Sequence, residues 1–360
     1  MAFIARAANQ ALAHNAQWYA AQVREYWQRR ELHAALARGV YRLTQGKANA
    51  AEVAELVESQ LQAAQHETGA DVQTLEGMLS DAIGNVRDAK QRGLTLGLST
   101  GLEILDRETG GFFPGELTVL AVRPSIGKSA LAVELAARIA EPQAGKPSRR
   151  VLFASLEMSA EQIAHRFLNR ATGIPVRRIQ SATLDANELS QLDHAREKLR
   201  SLGLKAYVSS RASMTRIRAR ARVLAAQDGL DLLVIDYLGL IQGDARQSPY
   251  ERTTAISREL KQLALELGKP VLCLAQLNRA AAQSGGPPTL EHLRDSGAIE
   301  QDADNCWLLN REHREATEAS LIVAKQRQGA VGSIELEFKP DRMSFDVPTI
   351  RYTEWDGGPI

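Results

Sequence analysis

Short apolar runs alternate with helical segments along most of this chain, and that alternation constrains the fold more than any other feature. From residue 93 onward we expect a helical segment after each of the runs 117–122, 151–156, 205–209, 232–235, 271–275 and 306–310. Strand-then-helix repetition predicts an α/β fold in which a parallel sheet has helices on both faces. Two further runs, 321–325 and 333–339, flank residues 326–332 and predict a hairpin-like edge.

The first hundred residues have a different, helical pattern. Within residues 17–65, apolar side chains recur at helix spacing on both sides of a break at 46–49, which predicts a helical hairpin. A hairpin of this size buries little core, so we expect it to pack on a partner or on another copy. An amphipathic helix over 72–89 has an apolar stripe that docks either on its own domain or on a neighbouring subunit. The predicted domains are 1–70, 71–95 and 96–360.

The composition is that of a globular chain without membrane segments. Its net charge of +1 does not mark the whole chain as a polyanion binder, although a ring of subunits can gather a few cations around a channel. No apolar run reaches the roughly 18–20 residues of a membrane span, and the first residues lack a secretory signal. Cys273 and Cys306 lie in apolar runs without metal-ligand spacing. We therefore expect a cytoplasmic protein with reduced cysteines in its core.

The segment between the strand 117–122 and the helix 130–140 has the residues of a phosphate-binding loop. Backbone N–H groups at the helix start point at the anion, Lys128 reaches the β- and γ-phosphates, and the Ser129 hydroxyl binds Mg²⁺. The usual pattern has glycine where this chain has Val122, and the alternative is an ordinary strand-to-helix turn. The predicted nucleotide-binding residues are Arg123, Pro124, Ser125, Ile126, Gly127, Lys128, Ser129 and Ala130.

Three polar residues follow neighbouring apolar strands. Asp236 ends one strand, where a carboxylate can hold Mg²⁺. Glu157 is either the general base for an attacking water or an acidic residue favoured by the N-terminus of the next helix. Gln276 is either a sensor of the γ-phosphate or a strand-end hydrogen-bonding group. Because the carboxyl ends of parallel strands meet at the ligand crevice, we expect all three side chains near the loop.

Seven motifs, in order, resemble the motor domain of DnaB-type replicative DNA helicases. They lie at residues 101–117, 123–129, 155–158, 235–240, 276–279, 293–304 and 324–327. The resemblance covers about residues 95–345, and the family commonly departs from glycine at position 122. It implies a RecA-like phosphate-loop NTPase fold with a twisted, mainly parallel sheet. It also implies an enzyme that hydrolyses ATP with Mg²⁺ as a homohexameric ring, moves 5′→3′ on single-stranded DNA and unwinds duplex.

The resemblance also implies a role for each site residue. The residues of a subunit's own ATP site are Lys128, Ser129, Glu157, Asp236 and Gln276. Lys128 binds phosphate, Ser129 and Asp236 bind Mg²⁺, Glu157 activates water and Gln276 senses the γ-phosphate. Lys325 and Arg327 reach into the neighbouring subunit's site, where Arg327 is the arginine finger. Without the resemblance, these two cations would look like an ordinary solvated edge.

The resemblance places the DNA contacts on two loops that face the channel of a ring. The loops are 243–252 and 278–290, and the candidate contacts are Arg246, Arg252 and Arg279, assisted by backbone N–H groups. The implied partners are single-stranded DNA and further copies of the chain, with a helicase loader and a primase as candidates. The residues alone leave open whether these arginines contact DNA or are merely solvated.

The N-terminal region departs from the family pattern. Only sixteen residues precede the hairpin, so we expect the family's globular helical head to be missing. The hairpin and the helix 72–89 resemble the family's terminal hairpin and its linker helix, as in a phage- or plasmid-type relative. Two alternative functions remain at this point. One is a RecA- or KaiC-like ATPase that remodels DNA or protein without unwinding, and the other is a non-catalytic assembly or regulatory subunit of a ring.

Overall fold

The computed structural model describes residues 16–45, 49, 50, 53, 57, 74–92, 95–142, 148–244, 246–278 and 286–348. The chain divides into two compact units, residues 1–82 and 83–360. The division falls within the helix Leu75–Arg92. The division into three segments, 1–70, 71–95 and 96–360, stays a prediction.

The N-terminal unit contains a long helix, α1 (Ala16–Thr44). The second arm of the predicted hairpin falls mostly outside the described residues. A further helix, α2 (Leu75–Arg92), crosses the unit boundary close to the predicted range 72–89. Its exposed apolar side chains include Leu75, Leu79 and Ile83, which recur every four residues. An exposed stripe at this spacing is a surface that another element can cover.

The C-terminal unit is built on one nine-stranded sheet. Its strands are β1 (Leu117–Val122), β2 (Val151–Ser155), β3 (Leu204–Val208), β4 (Leu232–Asp236), β5 (Val271–Gln276), β6 (Asn305–Asn310), β7 (Glu318–Gln326), β8 (Gly332–Lys339) and β9 (Ser344–Asp346). Across the sheet the order is β3-β2-β4-β5-β1-β6-β7-β8-β9, with parallel pairing from β3 to β6 and antiparallel pairing beyond. This confirms the predicted α/β fold with a mainly parallel sheet.

Helices cover both faces of this sheet. They are α3 (Glu103–Thr109), α4 (Lys128–Ala140), α5 (Ala160–Thr172), α6 (Val176–Gln180), α7 (Ala186–Arg200), α8 (Met214–Gln227), α9 (Pro249–Leu267) and α10 (Gly297–Asp302). One core joins α4 and α5 to Leu120 and Val234, and the other joins α8 and α9 to Val119 and Ile235. Because successive strand residues face opposite sides, the two cores lie on opposite faces. The strand ends remain as the place for a ligand site.

The helix starts differ in a way that matters for that site. Ser159, Asp185 and Ser248 each form a capping box that satisfies free amides at the starts of α5, α7 and α9. In contrast, α4 begins after Gly127, and no side chain there accepts a hydrogen bond from the first turn. The sequence therefore leaves the N-terminus of α4 available for an external anion.

Predictions for the antiparallel end of the sheet were partly wrong. A helical segment was expected after the run 306–310, but the antiparallel strand β7 follows β6. That strand also begins at Glu318, before the predicted start at 321, and the short strand β9 was not predicted because three residues carry no readable alternation. The hairpin-like edge is confirmed, because β7 pairs with β8 in antiparallel register. Among the described residues, no helix has the length and apolar character to cross a membrane.

Candidate active site

The predicted phosphate loop lies where β1 meets α4. Its last residue before the helix, Gly127, has a φ of +125°, a conformation that disfavours any side chain. A Cβ atom at this position would lie 2.9 Å from Cζ of Phe345, so only glycine fits against that ring. The loop can therefore turn sharply and aim the free amides of α4 at a bound phosphate.

A buried arginine braces this loop from behind. Arg311 Nη1 donates a hydrogen bond of 2.7 Å to the Ile126 carbonyl, and its other nitrogens donate to the carbonyl of Ala316. Its guanidinium lies 3.8 Å from the ring centroid of Phe338. Arg123 adds a second tie, because its Nη2 donates to the Arg311 carbonyl at 2.6 Å. These contacts link the loop to the antiparallel part of the sheet.

Lys128 is the centre of the charged cluster beside the loop. Its Nζ atom lies 3.2 Å from Oε2 of Glu157 and 3.3 Å from Oδ1 of Asp236. The same ammonium lies 3.5 Å from the ring centroid of Tyr237. The structure thus brings together a lysine and two carboxylates that come from three separate strand ends. A cation between two anions is a suitable starting point for an incoming polyphosphate, which can replace them as its partner.

Asp236 is buried without hydrogen bonds. It is fully inaccessible, and among the described residues neither carboxylate oxygen has a hydrogen-bond donor. Strand pairing opposite Ser155 fixes its position at the carboxyl end of β4. An unsatisfied buried carboxylate is costly, and a hard cation such as Mg²⁺ relieves that cost by binding oxygen ligands. The oxygens of Asp236 therefore suit a hard cation, and the Ser129 hydroxyl, which lines the cavity with Lys128, is a candidate second ligand.

A cavity of about 620 Å³ surrounds the phosphate loop. Its lining includes Ser129, Lys128, Glu157 and Gln276, so these predicted residues share one space. Gln276 is exposed at the end of β5, directly opposite Val122 of β1. The cavity also contains cations that the sequence did not indicate as site residues, namely Arg166, Arg311 and Arg314.

Arg166 is the most informative of these added cations. It lies in the second turn of α5, the helix that begins just after Glu157. Burial lowers the pKa of its guanidinium from the ordinary value, against the opposing influence of the Asp236 and Glu157 carboxylates. An arginine stays charged under such conditions, so it adds a positive group to the cavity. The sequence feature that could have identified Arg166 is its position on a helix that starts at the ligand crevice.

Ion pairs tie the helix after the loop to the helix after Glu157. Glu134 of α4 is buried and accepts hydrogen bonds from Arg138 at 2.5 Å and from Arg170 of α5 at 2.9 Å. Arg170 Nη1 also donates to Glu141 at 2.9 Å. Because buried charges are stable only when paired, these contacts hold α4 and α5 in fixed register. The positions of Lys128, at the start of α4, and Glu157, just before α5, are therefore coupled through these ion pairs.

Lys325 and Arg327 do not lie in this cavity. Lys325 lies at the end of β7 that pairs with the start of β6, and Arg327 is the first residue after β7, whereas the phosphate loop follows the opposite end of β1. A strand rises roughly 3.3 Å per residue, so the six residues of β1 separate the two places by about 20 Å. Lys325 Nζ donates to the carbonyls of Glu300 and Ala303 at 2.5 and 2.7 Å. Neither cation can reach the phosphate loop of its own chain.

Arg246 and Arg252, two of the candidate DNA-binding arginines, also lie outside the cavity. Arg246 is 90% exposed and pairs with Asp244 at 2.9 Å. That pairing holds the pKa of Asp244 at about 2, chiefly through side-chain and backbone hydrogen bonds with Arg246. Arg252 is half-buried, and its Nη2 donates to the Gln247 carbonyl at 3.3 Å. Arg279 lies outside the described residues.

A phosphate loop with a lysine and a buried aspartate at the carboxyl ends of a mainly parallel sheet defines a nucleotide-binding ATPase domain of RecA-like fold. Residues 97–347 match the family described as the DnaB-like helicase C terminal domain. The chain belongs to this family.

Known relatives agree with that assignment. The replicative DNA helicase DnaB of Treponema pallidum (strain Nichols) is 37% identical over 267 residues, which are 74% of this chain and 59% of the relative. A solved ATPase domain aligns with a TM-score of 0.71 and 28% identity, covering 77% of this chain and 100% of that domain. A solved structure described as a DnaB-like replicative helicase and its interactions with primase aligns with a TM-score of 0.68 and 26% identity, covering 95% and 82%. The chain thus spans about three fifths of the curated relative.

Proposed function

We propose that this chain is an ATP-dependent replicative DNA helicase. It hydrolyses ATP at the subunit interfaces of a homohexameric ring, moves 5′→3′ along single-stranded DNA in the cytoplasm and unwinds duplex. Membership of the DnaB-like family supports this function. The observation that carries the proposal is the Lys128 contact with both Glu157 and Asp236 beside the phosphate loop. These groups are the ones that phosphoryl transfer to water requires within one subunit.

Within one subunit, each residue of the cavity has a chemical task. The amides of α4 and the Lys128 ammonium bind the phosphates and orient the γ-phosphate. Glu157 is half exposed at the cavity and accepts the proton of the attacking water. Gln276 offers an amide from the neighbouring strand that orients water or the γ-phosphate. Phosphate binding draws Lys128 away from Glu157, which frees that carboxylate to act as the base.

Mg²⁺ is the proposed metal of this site. Ser129 and Asp236 would hold it, and a bound Mg²⁺ supplies positive charge that offsets the charge developing on the phosphates. The buried, unsatisfied oxygens of Asp236 support this assignment.

Lys325 and Arg327 act on the site of another subunit in this proposal. Their position at the amino end of β1 excludes a role at their own phosphate loop. In a head-to-tail ring, that end of one sheet can face the carboxyl end of the next. Arg327 then stabilises the charge on the transferring phosphoryl group of the neighbour. The site is therefore complete only between two copies.

The exposed stripe of α2 is a second surface that a ring can use. Leu75, Leu79, Ile83 and Val86 present apolar area that a neighbouring copy would cover. We infer docking between copies rather than on the helix's own chain, because a ring needs an interface that does not depend on nucleotide. A primase is a further proposed partner, by analogy with the solved helicase described with its primase interactions. A helicase loader is proposed from membership of the DnaB-like family alone.

Single-stranded DNA is the proposed track, held by the loops that carry Arg246, Arg252 and Arg279. Arg246 is exposed and its carboxylate partner is exposed too, so a phosphate can compete for it. Arg246→Ala should weaken DNA binding evenly across sequences and reduce the salt dependence by about one phosphate contact. Arg200→Ala is the matched control, because that arginine is 82% exposed and also lies beside an acidic side chain. Equal loss in both variants would remove Arg246 from the DNA surface.

The direct test measures ATP hydrolysis and unwinding together. With the full chain, hydrolysis should require Mg²⁺ and increase with single-stranded DNA, and a fork with a free 5′ tail should be unwound. Stimulated hydrolysis without unwinding of either fork polarity would favour the RecA- or KaiC-like ATPase. No hydrolysis in a correctly assembled ring would favour the non-catalytic subunit. Lys128→Ala provides the background rate.

Mixing two inactive variants tests the intersubunit assignment. Lys128→Ala subunits cannot bind ATP productively but can donate Arg327, whereas Arg327→Ala subunits have an intact site and donate nothing. Mixed rings should therefore hydrolyse ATP faster than either variant alone. Mixtures that never exceed the single variants would contradict catalysis between subunits.

A further inference from the structure

Arg327 is held at one point by a carboxylate of its own chain. Its Nη1 atom donates to Oδ1 of Asp304 at 3.1 Å, and its backbone N–H donates to the Asp304 carbonyl at 2.9 Å. The arginine side chain is nevertheless 66% exposed, while that of Asp304 is only 3% exposed. The contact therefore fixes one terminal nitrogen of the guanidinium and leaves the rest of the group facing solvent.

Asp304 is itself fixed from two other directions. Its Oδ2 atom accepts a 2.8 Å hydrogen bond from the backbone N–H of Leu117, at the start of β1. The same oxygen accepts a 2.7 Å hydrogen bond from Lys261 Nζ, on α9. Burial raises the pKa of Asp304, but hydrogen bonds from Lys261, Leu117 and Arg327 outweigh burial, so the net pKa is lowered. The carboxylate is an ionised, rigid anchor between the sheet and a helix.

We propose that Asp304 is a positioning residue that presents Arg327 to the nucleotide site of the next subunit. This inference rests on the proposed function. A guanidinium has five donors in a planar fork, so one nitrogen can stay on Asp304 while the others face a phosphate. Holding the fork in advance reduces the conformational freedom that Arg327 loses when the neighbour's phosphate is bound. Lys261 acts indirectly, because its hydrogen bond holds the Asp304 carboxylate in place.

The opposite arrangement would make Asp304 a restraint. In that arrangement Arg327 must leave Asp304 before it reaches the neighbour, and removing the carboxylate would increase turnover. One observation favours presentation. The arginine side chain stays 66% exposed while Nη1 is bound to Asp304, so its other N–H groups can contact a neighbour without breaking that bond. The two arrangements therefore predict changes of opposite sign.

The test places Asp304→Asn on only one kind of subunit in a mixed ring. In mixtures of Lys128→Ala and Arg327→Ala subunits, only the Lys128→Ala subunits donate Arg327. Asp304→Asn on these donors should lower turnover by about tenfold or more, because a misplaced catalytic group loses its effective concentration. The same change on the Arg327→Ala subunits is the matched control. There it should cost far less, because those subunits have no arginine to present.

The outcomes separate positioning from general damage. Equal losses in both placements would show a structural role only and would overturn the proposal, as would unchanged or increased turnover with donor placement. If Asp304→Asn subunits fail to fold, Lys261→Gln replaces that substitution. It should lower kcat by a smaller factor, only when placed on the donor subunits, and should leave KM unchanged. Failure of the unmodified mixture to regain activity would instead contradict the intersubunit function itself. Native mass measurement and nucleotide binding confirm that each mixture forms rings.

Discussion

Two buried aspartates at opposite ends of one sheet have opposite environments. Asp236 ends β4, is fully buried, and has no hydrogen-bond donor on either carboxylate oxygen among the described residues. Asp304 precedes β6, is almost as deeply buried, and receives hydrogen bonds from Leu117, Lys261 and Arg327. Among the described residues, Asp236 thus has an ion pair with Lys128 but no hydrogen bond, whereas Asp304 has three hydrogen-bond donors.

The difference indicates which end of the sheet has been left open for a ligand. Proteins usually satisfy a buried carboxylate with internal donors, as they do for Asp304, because an unpaired one is costly. A carboxylate that lacks such donors lowers the stability of the empty protein and strengthens the binding of a cation that relieves it. This contrast supports the proposed binding site at the carboxyl end of the parallel strands and the proposed anchor at the amino end.

The largest expected effect comes from removing the cation that Asp304 holds. Arg327→Ala should lower ATP turnover on the order of 10³-fold or more while leaving nucleotide affinity nearly unchanged, because the arginine acts only in the transition state. Turnover assays and binding of a fluorescent nucleotide measure the two quantities separately. An equal loss of nucleotide affinity and turnover would assign Arg327 to nucleotide binding. The Asp304 end of the sheet would then share the binding role proposed for the Asp236 end.

At the Asp236 end, Glu157→Gln should lower turnover by about 10²-fold or more, within the usual range for a general base. The amide keeps the shape of the side chain and its hydrogen bond to Lys128 but cannot accept a proton. Nucleotide affinity should hold or rise, since the variant removes an anion beside the phosphates. Turnover that survives this change would assign Glu157 to the start of α5 as a helix-favouring residue.

The two aspartates should respond differently to the same substitution in the absence of nucleotide and Mg²⁺. Asp304→Asn should lower the free energy of unfolding by about 1–3 kcal/mol, because hydrogen bonds to a charged group are lost. Asp236→Asn should lower it less, because among the described residues this side chain loses an ion pair with Lys128 but no hydrogen bond. Urea denaturation followed by circular dichroism measures both. Two losses of equal size would mean that the Lys128 ion pair stabilises Asp236 as much as the hydrogen bonds stabilise Asp304.

The smallest effect concerns the two cysteines, one near each aspartate. Burial raises the pKa of Cys306 to about 12, and burial with the nearby Asp236 charge raises the pKa of Cys273 as well. Both thiols should resist iodoacetamide at pH 8 until the protein unfolds, because the thiolate is the reactive form. In Asp304→Asn, labelling of Cys306 should accelerate more than that of Cys273, as read by mass spectrometry. Equal acceleration would indicate that the two ends open together.

Most of the fold could be predicted because a parallel sheet leaves a strong signal. Continuous apolar runs located β1, β2, β4, β5 and β6 within a few residues, since strands covered on both faces have no polar side to interrupt them. The signal fails where the sheet turns antiparallel. Strand β7 starts with Glu318 and alternates buried and exposed residues, and β9 is only three residues long. Pairing with neighbours determines such segments more than their own composition does.

The site was predictable where residues follow strands and unpredictable where they lie on helices. Strand logic indicated that Lys128, Glu157 and Asp236 would meet, and the structure brings them into contact. Arg166 was missed because an arginine on an amphipathic helix looks like solvated surface. The role of Asp304 as an anchor was equally hidden. Its partners are far away in sequence, Leu117 and Lys261, and no local pattern connects them.

The phosphate loop and Arg327 lie at opposite ends of one sheet, and this separation also gives a ring of copies a direction around its axis. If Arg327 serves the next copy, every contact joins unlike surfaces, and such contacts close into a ring only at one rotation per copy, forming an open helix otherwise. Each copy then has a distinct predecessor and successor. A ring of identical chains built this way has a direction around its axis. Successive hydrolysis events can therefore follow the order of the subunits, and this order can set the direction of movement along a strand of DNA.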